Sequence, residues 1–195
     1  MWRVLIFAVS IGWAWLAVVY VAHAQDAIQP SRGNAITMAG RQVFCDRVRL
    51  RLDRYLGNLG VADLDERMLV LNPRLLGRYS RTVQLFVFHH ECGHHRVGAS
   101  ELDADCWAVD RGVRDGWLDR NGLGQVCRSF EDAPETETHP SGRRRCTNID
   151  RCFATTQTAV ARERKALQAR IEAIARQQPP KLVSGPRLLR ESVLR

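Results

Sequence analysis

Residues 82–96, TVQLFVFHHECGHHR, constrain this chain more than any other stretch. They hold no proline and no glycine before Gly93, and Val83, Leu85, Phe86, Val87 and Phe88 make the first half apolar. That pattern predicts a buried helix. On a helix, positions four apart share a face, so His90 and His94 bring two imidazoles to one point. His89 and His95 lie about 100° around the helix from them and fall outside that point. Glu91 stands beside the pair. His90-Glu91-x-x-His94 is an HExxH arrangement: two nitrogen ligands for one metal ion and a carboxylate able to take a proton from a metal-bound water. Zinc is the expected ion, because it lowers the pKa of bound water to about 7. Only three positions define the pattern, so the competing reading is a histidine-rich helix without a catalytic metal.

The residues that follow favour the metal. Val97-Gly98-Ala99 breaks the helix, and Ser100 is a good N-cap for a second one, with Glu101 and Asp103 in its acidic first turn. A catalytic zinc takes three protein ligands plus water. Glu101 is the expected third ligand. Asp105, one turn further on the same face, is placed to accept the other ring N–H of a ligand histidine. The two acids could exchange roles. Asp103 reads as an exposed capping residue, and Trp107 and Trp117 as core. Cys92 inside the motif could be a soft fourth ligand. It lies two residues from each histidine and off their face, which favours a disulfide instead.

The amino terminus predicts export. Met1-Trp2-Arg3 precedes an apolar run from Val4 to Ala22, and Ala22-His23-Ala24 has the small-x-small pattern of a cleavage site. Residues 1–24 are thus expected to form a signal helix, either cleaved or kept as an anchor, and either way the rest of the chain is periplasmic or extracellular. Six cysteines, at 45, 92, 106, 127, 146 and 152, fit three disulfides in such a compartment. The 15 ways of pairing six cysteines remain open.

The fold class expected is α+β: a mainly helical domain over 25–153 with a small sheet, followed by a basic helix over 154–178 and a disordered tail over 179–195. Phe44, Val48, Leu52, Tyr55 and Leu56 are spaced as a helical stripe, Met68–Leu71 as a strand ended by Asn72-Pro73, and 101–113 as a helix. Residues 25–43 suggest a loop with a short strand or helix. Asn121-Gly122-Leu123-Gly124 reads as a turn, and 131–145 as a polar loop.

The net charge of +8 does not describe the main domain. Residues 25–153 carry 19 Arg against 18 acidic residues, whereas 154–195 carry nine basic residues against three Glu. The basic excess therefore belongs to the tail, whose helix over 154–178 reads first as a solvated helix packing one edge on the domain; the competing reading is contact with a membrane surface, a cell-envelope polymer or an acidic partner. No aromatic residue follows Phe153, so the tail has no platform for stacking bases, and nucleic acid is not an expected partner.

HExxH followed by Glu101-x-x-Ala104-Asp105 and Ala108 resembles the zinc metallopeptidases of the gluzincin type, in particular the CAAX prenyl protease and heat-shock membrane protease group. Thr138-His139-Pro140 with Arg145 is similar to the His-Pro…Arg element of that group, and Asn72-Pro73 after the strand is similar too. The resemblance covers residues 65–150. It implies a zincin-like fold, peptide or protein substrates, zinc held by His90, His94 and Glu101, Glu91 as the base, and His139 as a group that stabilises the oxyanion. Two departures stand out. Only seven positions separate His94 from Glu101, and no second long apolar run exists. The short gap resembles the metzincins, yet all three methionines precede the motif, which excludes their downstream Met-turn. A minimal, exported gluzincin-like domain is the reading that results. The alternative is a non-catalytic, metal-stabilised, disulfide-bonded binding module.

Overall fold

The computed structural model describes residues 27–31 and 34–177; the expected signal helix and the tail over 179–195 lie outside them. The class is α+β, with five helices and two three-stranded sheets among the described residues. β1 (Gln29–Ser31), β2 (Ala35–Met38) and β3 (Arg41–Val43) form an antiparallel meander. In the second sheet β4 (Arg49–Leu52) runs parallel to β6 (Met68–Leu71), and β5 (Gly60–Asp63) runs antiparallel to β6 on its other side. β5 is therefore an edge strand.

The helices are α1 (Pro73–Leu76), α2 (Arg81–Val97), α3 (Glu101–Arg114), α4 (Arg120–Arg128) and α5 (Gly142–Gln177). α2 carries both apolar cores. Leu85, Phe88 and Cys92 pack with Ile36, Met38, Leu69 and Leu71 of the sheets. Val83 and Phe86 pack with Val109 of α3, Leu123 and Val126 of α4, and Ile149 and Phe153 of α5. With apolar partners on two sides, α2 has little freedom to rotate, so the direction of its histidines is set by core packing. Trp107 and Trp117 pack on the sheet-side core.

α2 and α3 touch at Gly93. A Cβ there would lie 3.1 Å from the Ala104 carbonyl oxygen and 3.2 Å from its Cα. Only glycine lets the backbones approach this closely, and that approach brings the first turn of α3 beside His90 and His94.

Four expectations need correction. Residues 44–59 are not a helix. Arg-Leu-Arg-Leu at 49–52 also alternates with period two, and pairing with β6 satisfies its backbone. Phe44 and Tyr55, two members of the supposed stripe, are 68% and 84% exposed. Residues 121–124 are helical, not a turn: Asp119 caps α4 through the Gly122 N–H at 2.7 Å. Burial of Leu123 and Val126 outweighs the cost of two glycines, about 1 kcal/mol each. The polar loop stops at Ser141, because the arginines at 143–145 do not break a helix, and α5 runs through the expected boundary at 153/154. There are also two small sheets, not a single one built around Met68–Leu71.

By compactness the chain divides into Met1–Gln157 and Thr158–Arg195. Within the second unit, Leu167, Ile171 and Ile174 are exposed. No helix among the described residues is long and apolar enough to cross a membrane.

Two disulfides form, Cys45–Cys92 and Cys106–Cys152, as an exported chain permits. The first ties the loop before β4 to α2 and settles Cys92 as a bridge. The second ties α3 to α5. Cys127 and Cys146 belong to neither of these bonds. The Cys45–Cys92 bond spans a sequence separation of 47. Removing it with Cys45→Ala and Cys92→Ala together is expected to lower the unfolding free energy by about 4 kcal/mol, from the loop closed in the unfolded chain. A denaturant melt of oxidised protein measures this.

Candidate metal centre

His90 and His94 face each other from adjacent turns of α2, their Nε2 atoms 3.2 Å apart. Both tautomers follow from what the other ring nitrogen touches. His90 Nδ1 lies 2.9 Å from Asp105 Oδ1, and His94 Nδ1 lies 2.9 Å from the Gly98 carbonyl oxygen. A carboxylate and a carbonyl only accept hydrogen bonds, so each Nδ1 carries a proton, and each ring turns its Nε2 toward the other. Two lone pairs at this distance repel unless a cation or a proton lies between them.

Glu101, in the first turn of α3, completes the group. Its Oε2 is 3.2 Å from His90 Nε2 and its Oε1 3.4 Å from His94 Nε2. One ligand atom from each of the three residues lies within 4.8 Å of the others. His90 is 6% and Glu101 9% exposed. Although Oε2 is close to His90, it has no hydrogen bond of acceptable angle and is buried. Two imidazole nitrogens and an under-partnered buried carboxylate oxygen are a donor set suited to one divalent ion.

The electrostatics agree with a site built for positive charge. Burial pushes the Glu101 carboxyl up, but its contacts with His90 and His94 and the nearby Arg145 charge outweigh that and hold it below the usual carboxylate range. Burial pushes the His90 imidazole down, yet Asp105 and Glu101 raise it to about 9. His94 is raised by Glu101, against its partial burial. The acidic groups thus draw a cation to the two Nε2 atoms, and a metal ion would displace protons there. His89, by contrast, is held down to about 4 by burial and by Arg111, and stacks on Trp117 away from the centre.

Asp105 is fully buried. Arg145, from α5, grips it with Nε at 2.8 Å from Oδ2 and Nη2 at 2.5 Å from Oδ1. Arg145 Nη1 also lies 3.6 Å from Glu101 Oε2, and its guanidinium stacks 4.8 Å over the Phe130 ring. This guanidinium compensates two buried carboxylates at once. Asp105 thereby fixes the His90 tautomer and ring direction. Asp105→Asn is expected to weaken metal binding by roughly 10- to 100-fold, the usual cost of losing such a partner. Titration of the apoprotein with zinc measures it.

Glu91 lines the same cleft, of about 510 Å³, as His90, Glu101, His139 and Arg145. The Ala62 N–H of β5 faces its carboxylate, and burial raises its pKa despite the neighbouring histidines. Gly60 of β5 makes room for it: a Cβ there would meet Glu91 Cγ at 2.8 Å. His139 comes from the loop after α4. It is exposed, with Nδ1 2.8 Å from Thr138 Oγ1 and Nε2 3.4 Å from Glu101 Oε1. The structure thus brings His90, His94 and Glu101 to one point, sets Asp105 behind His90, and places Glu91 and His139 on the surrounding walls.

Two contributors escape the pattern of spacings. Arg145 was legible only as part of a His-Pro…Arg element, not as the partner of Asp105. Asn72 is the other. Its buried side chain accepts from the Arg74 and Leu75 N–H groups and donates to the carbonyls of Arg54 and Leu56. It thereby holds the loop before Gly57–Gly60, which forms one wall of the cleft. The Asn-Pro pair after the strand was the available signal.

Comparison with protein-family models, curated proteins and solved structures gives no match for this chain.

Proposed function

We propose that this chain is an exported zinc-dependent endopeptidase, a minimal zincin-like enzyme of the gluzincin type. The observation that carries the reading is the pair of Nε2 atoms, 3.2 Å apart beside Glu101, with His90 and Glu101 lining a cleft that also holds a second carboxylate, Glu91. His90, His94 and Glu101 would hold the ion. Zinc bound there supplies a Lewis acid for a peptide carbonyl and makes a water acidic at neutral pH. Glu91 takes the proton from the attacking water and returns it to the leaving amine as the C–N bond breaks. His139, exposed at the cleft, donates from Nε2 to the developing oxyanion. Asp105 and Arg145 keep His90 aimed.

Purified protein should carry one zinc per chain and cleave an unfolded protein. Chelation should stop the cleavage and added zinc should restore it. Zinc-free protein that takes up no zinc would overturn the reading.

One observation favours the second reading, a metal-stabilised binding module without turnover. His139 Nε2 is close enough to Glu101 that a small shift of its loop would make it a fourth ligand and close the site. His139→Ala separates the two. A closed site loses zinc affinity with that change, whereas an open one keeps its zinc and loses only rate.

A further inference from the structure

Cys127 lies at the end of α4 and Cys146 in the first turns of α5. They are the cysteines that neither disulfide uses, and the backbone beside them is in contact: Gly142, four residues before Cys146, packs on the carbonyl of Phe130, three residues after Cys127, so closely that a Cβ there would lie 1.8 Å from that oxygen. The chain between them, residues 128–145, carries Phe130, His139 and Arg145, all of which line the cleft. This segment folds back on itself beside the two thiols. The Phe130 N–H bonds the Cys127 carbonyl at 3.1 Å, and the Gly142 N–H bonds the Ala133 carbonyl at 2.9 Å. Between these two anchors residues 131–139 are exposed.

We propose that Cys127 and Cys146 form a third disulfide, and that this bond is the strap that closes the 128–145 loop and holds His139 and Arg145 over the metal centre. The pairing needs no rearrangement, because Cys45–Cys92 and Cys106–Cys152 are already made. It also adds a constraint that those two bonds lack. Cys106–Cys152 ties α5 to α3, but nothing covalent short of the whole loop ties the start of α5 to α4. Shortening the free path between those helices restricts the loop's excursions and so the spread of Arg145 positions against Asp105.

The chemistry is a thiol–disulfide exchange. One thiolate attacks the disulfide of an exported dithiol oxidant, forming a mixed disulfide and releasing one thiol of the oxidant. The second thiolate then displaces the other, so the two cysteines together lose two protons and two electrons and the oxidant gains them as a dithiol. Burial pushes both thiols up in the closed fold. The exchange therefore belongs to the folding chain, while the cysteines are still open to solvent.

The test does not depend on whether the site turns over peptide. Protein secreted into an oxidising compartment is denatured, treated with iodoacetamide without reduction, and digested. The expected result is no alkylated cysteine and a linked Cys127–Cys146 peptide pair. Alkylated Cys127 and Cys146, or either one linked elsewhere, overturns the pairing. The strap role has its own readout in the Cys127→Ser, Cys146→Ser double variant, digested in the folded state by a glutamate-specific protease. Cleavage at Glu131, Glu135 and Glu137 should be faster than in the parent, because the released loop samples more open conformations. Equal rates overturn the strap. Because the peptide map uses the parent protein, the pairing is decided even if the double variant does not fold.

Discussion

On the proposed mechanism, Glu91→Gln is expected to lower the rate of peptide hydrolysis by about a hundred- to ten-thousand-fold, the range for removal of a general base, with zinc binding retained. Glutamine has the shape of glutamate, which matters because Gly60 leaves no spare room beside the side chain. It also keeps an oxygen on the side of the Ala62 N–H of β5. What it lacks is a group that takes up a proton at neutral pH. The variant therefore isolates proton transfer from fold and from metal binding. Steady-state cleavage of an unfolded protein, with zinc content measured on the same sample, reads both. Undiminished activity in a zinc-loaded variant would sink the proposed mechanism, and activity absent from the parent as well would point to the binding module.

Glu101→Gln is expected to weaken zinc binding by roughly a hundred- to a thousand-fold. A structural zinc site with four protein ligands is worth about 10–16 kcal/mol, so one ligand's share is about 2.5–4 kcal/mol. The substitution keeps the volume and removes the charge that faces both Nε2 atoms and Arg145. Asp103→Asn is the control: it lies in the same turn of α3 and loses the same charge, but it is exposed and points away from the site. Its zinc affinity should match the parent's. Competition against a chromophoric chelator measures all three proteins, and an unchanged Glu101→Gln affinity would remove Glu101 from the ligand set.

The site was more legible in the sequence than the fold around it. Helical periodicity alone places His90 and His94 on one face of α2, and the N-cap signal at Ser100 places Glu101 in a first turn; both depend on spacings shorter than two helical turns. Spacing fails where an element is too short to show a period. The four residues of β4 satisfy a helical and a strand pattern equally, and only pairing with β6, nearly twenty positions away, selects the strand. The turn expected at 121–124 fails for a related reason, since local glycine signals cannot weigh the burial of Leu123 and Val126.

By itself, then, the sequence determined a helix bearing two aligned imidazoles, a following helix opening on two acids, and cysteines suited to an oxidising compartment. Tertiary structure alone decided which acid meets which atom. The Gly93–Ala104 approach sets the distance between α2 and α3, and so puts Glu101 on the Nε2 side of His90 and Asp105 on its Nδ1 side. It also decided that Arg145, 40 positions from Asp105, is that carboxylate's partner. A buried charge requires compensation, and the residue that supplies it is chosen by the packing of distant elements, which no local pattern records.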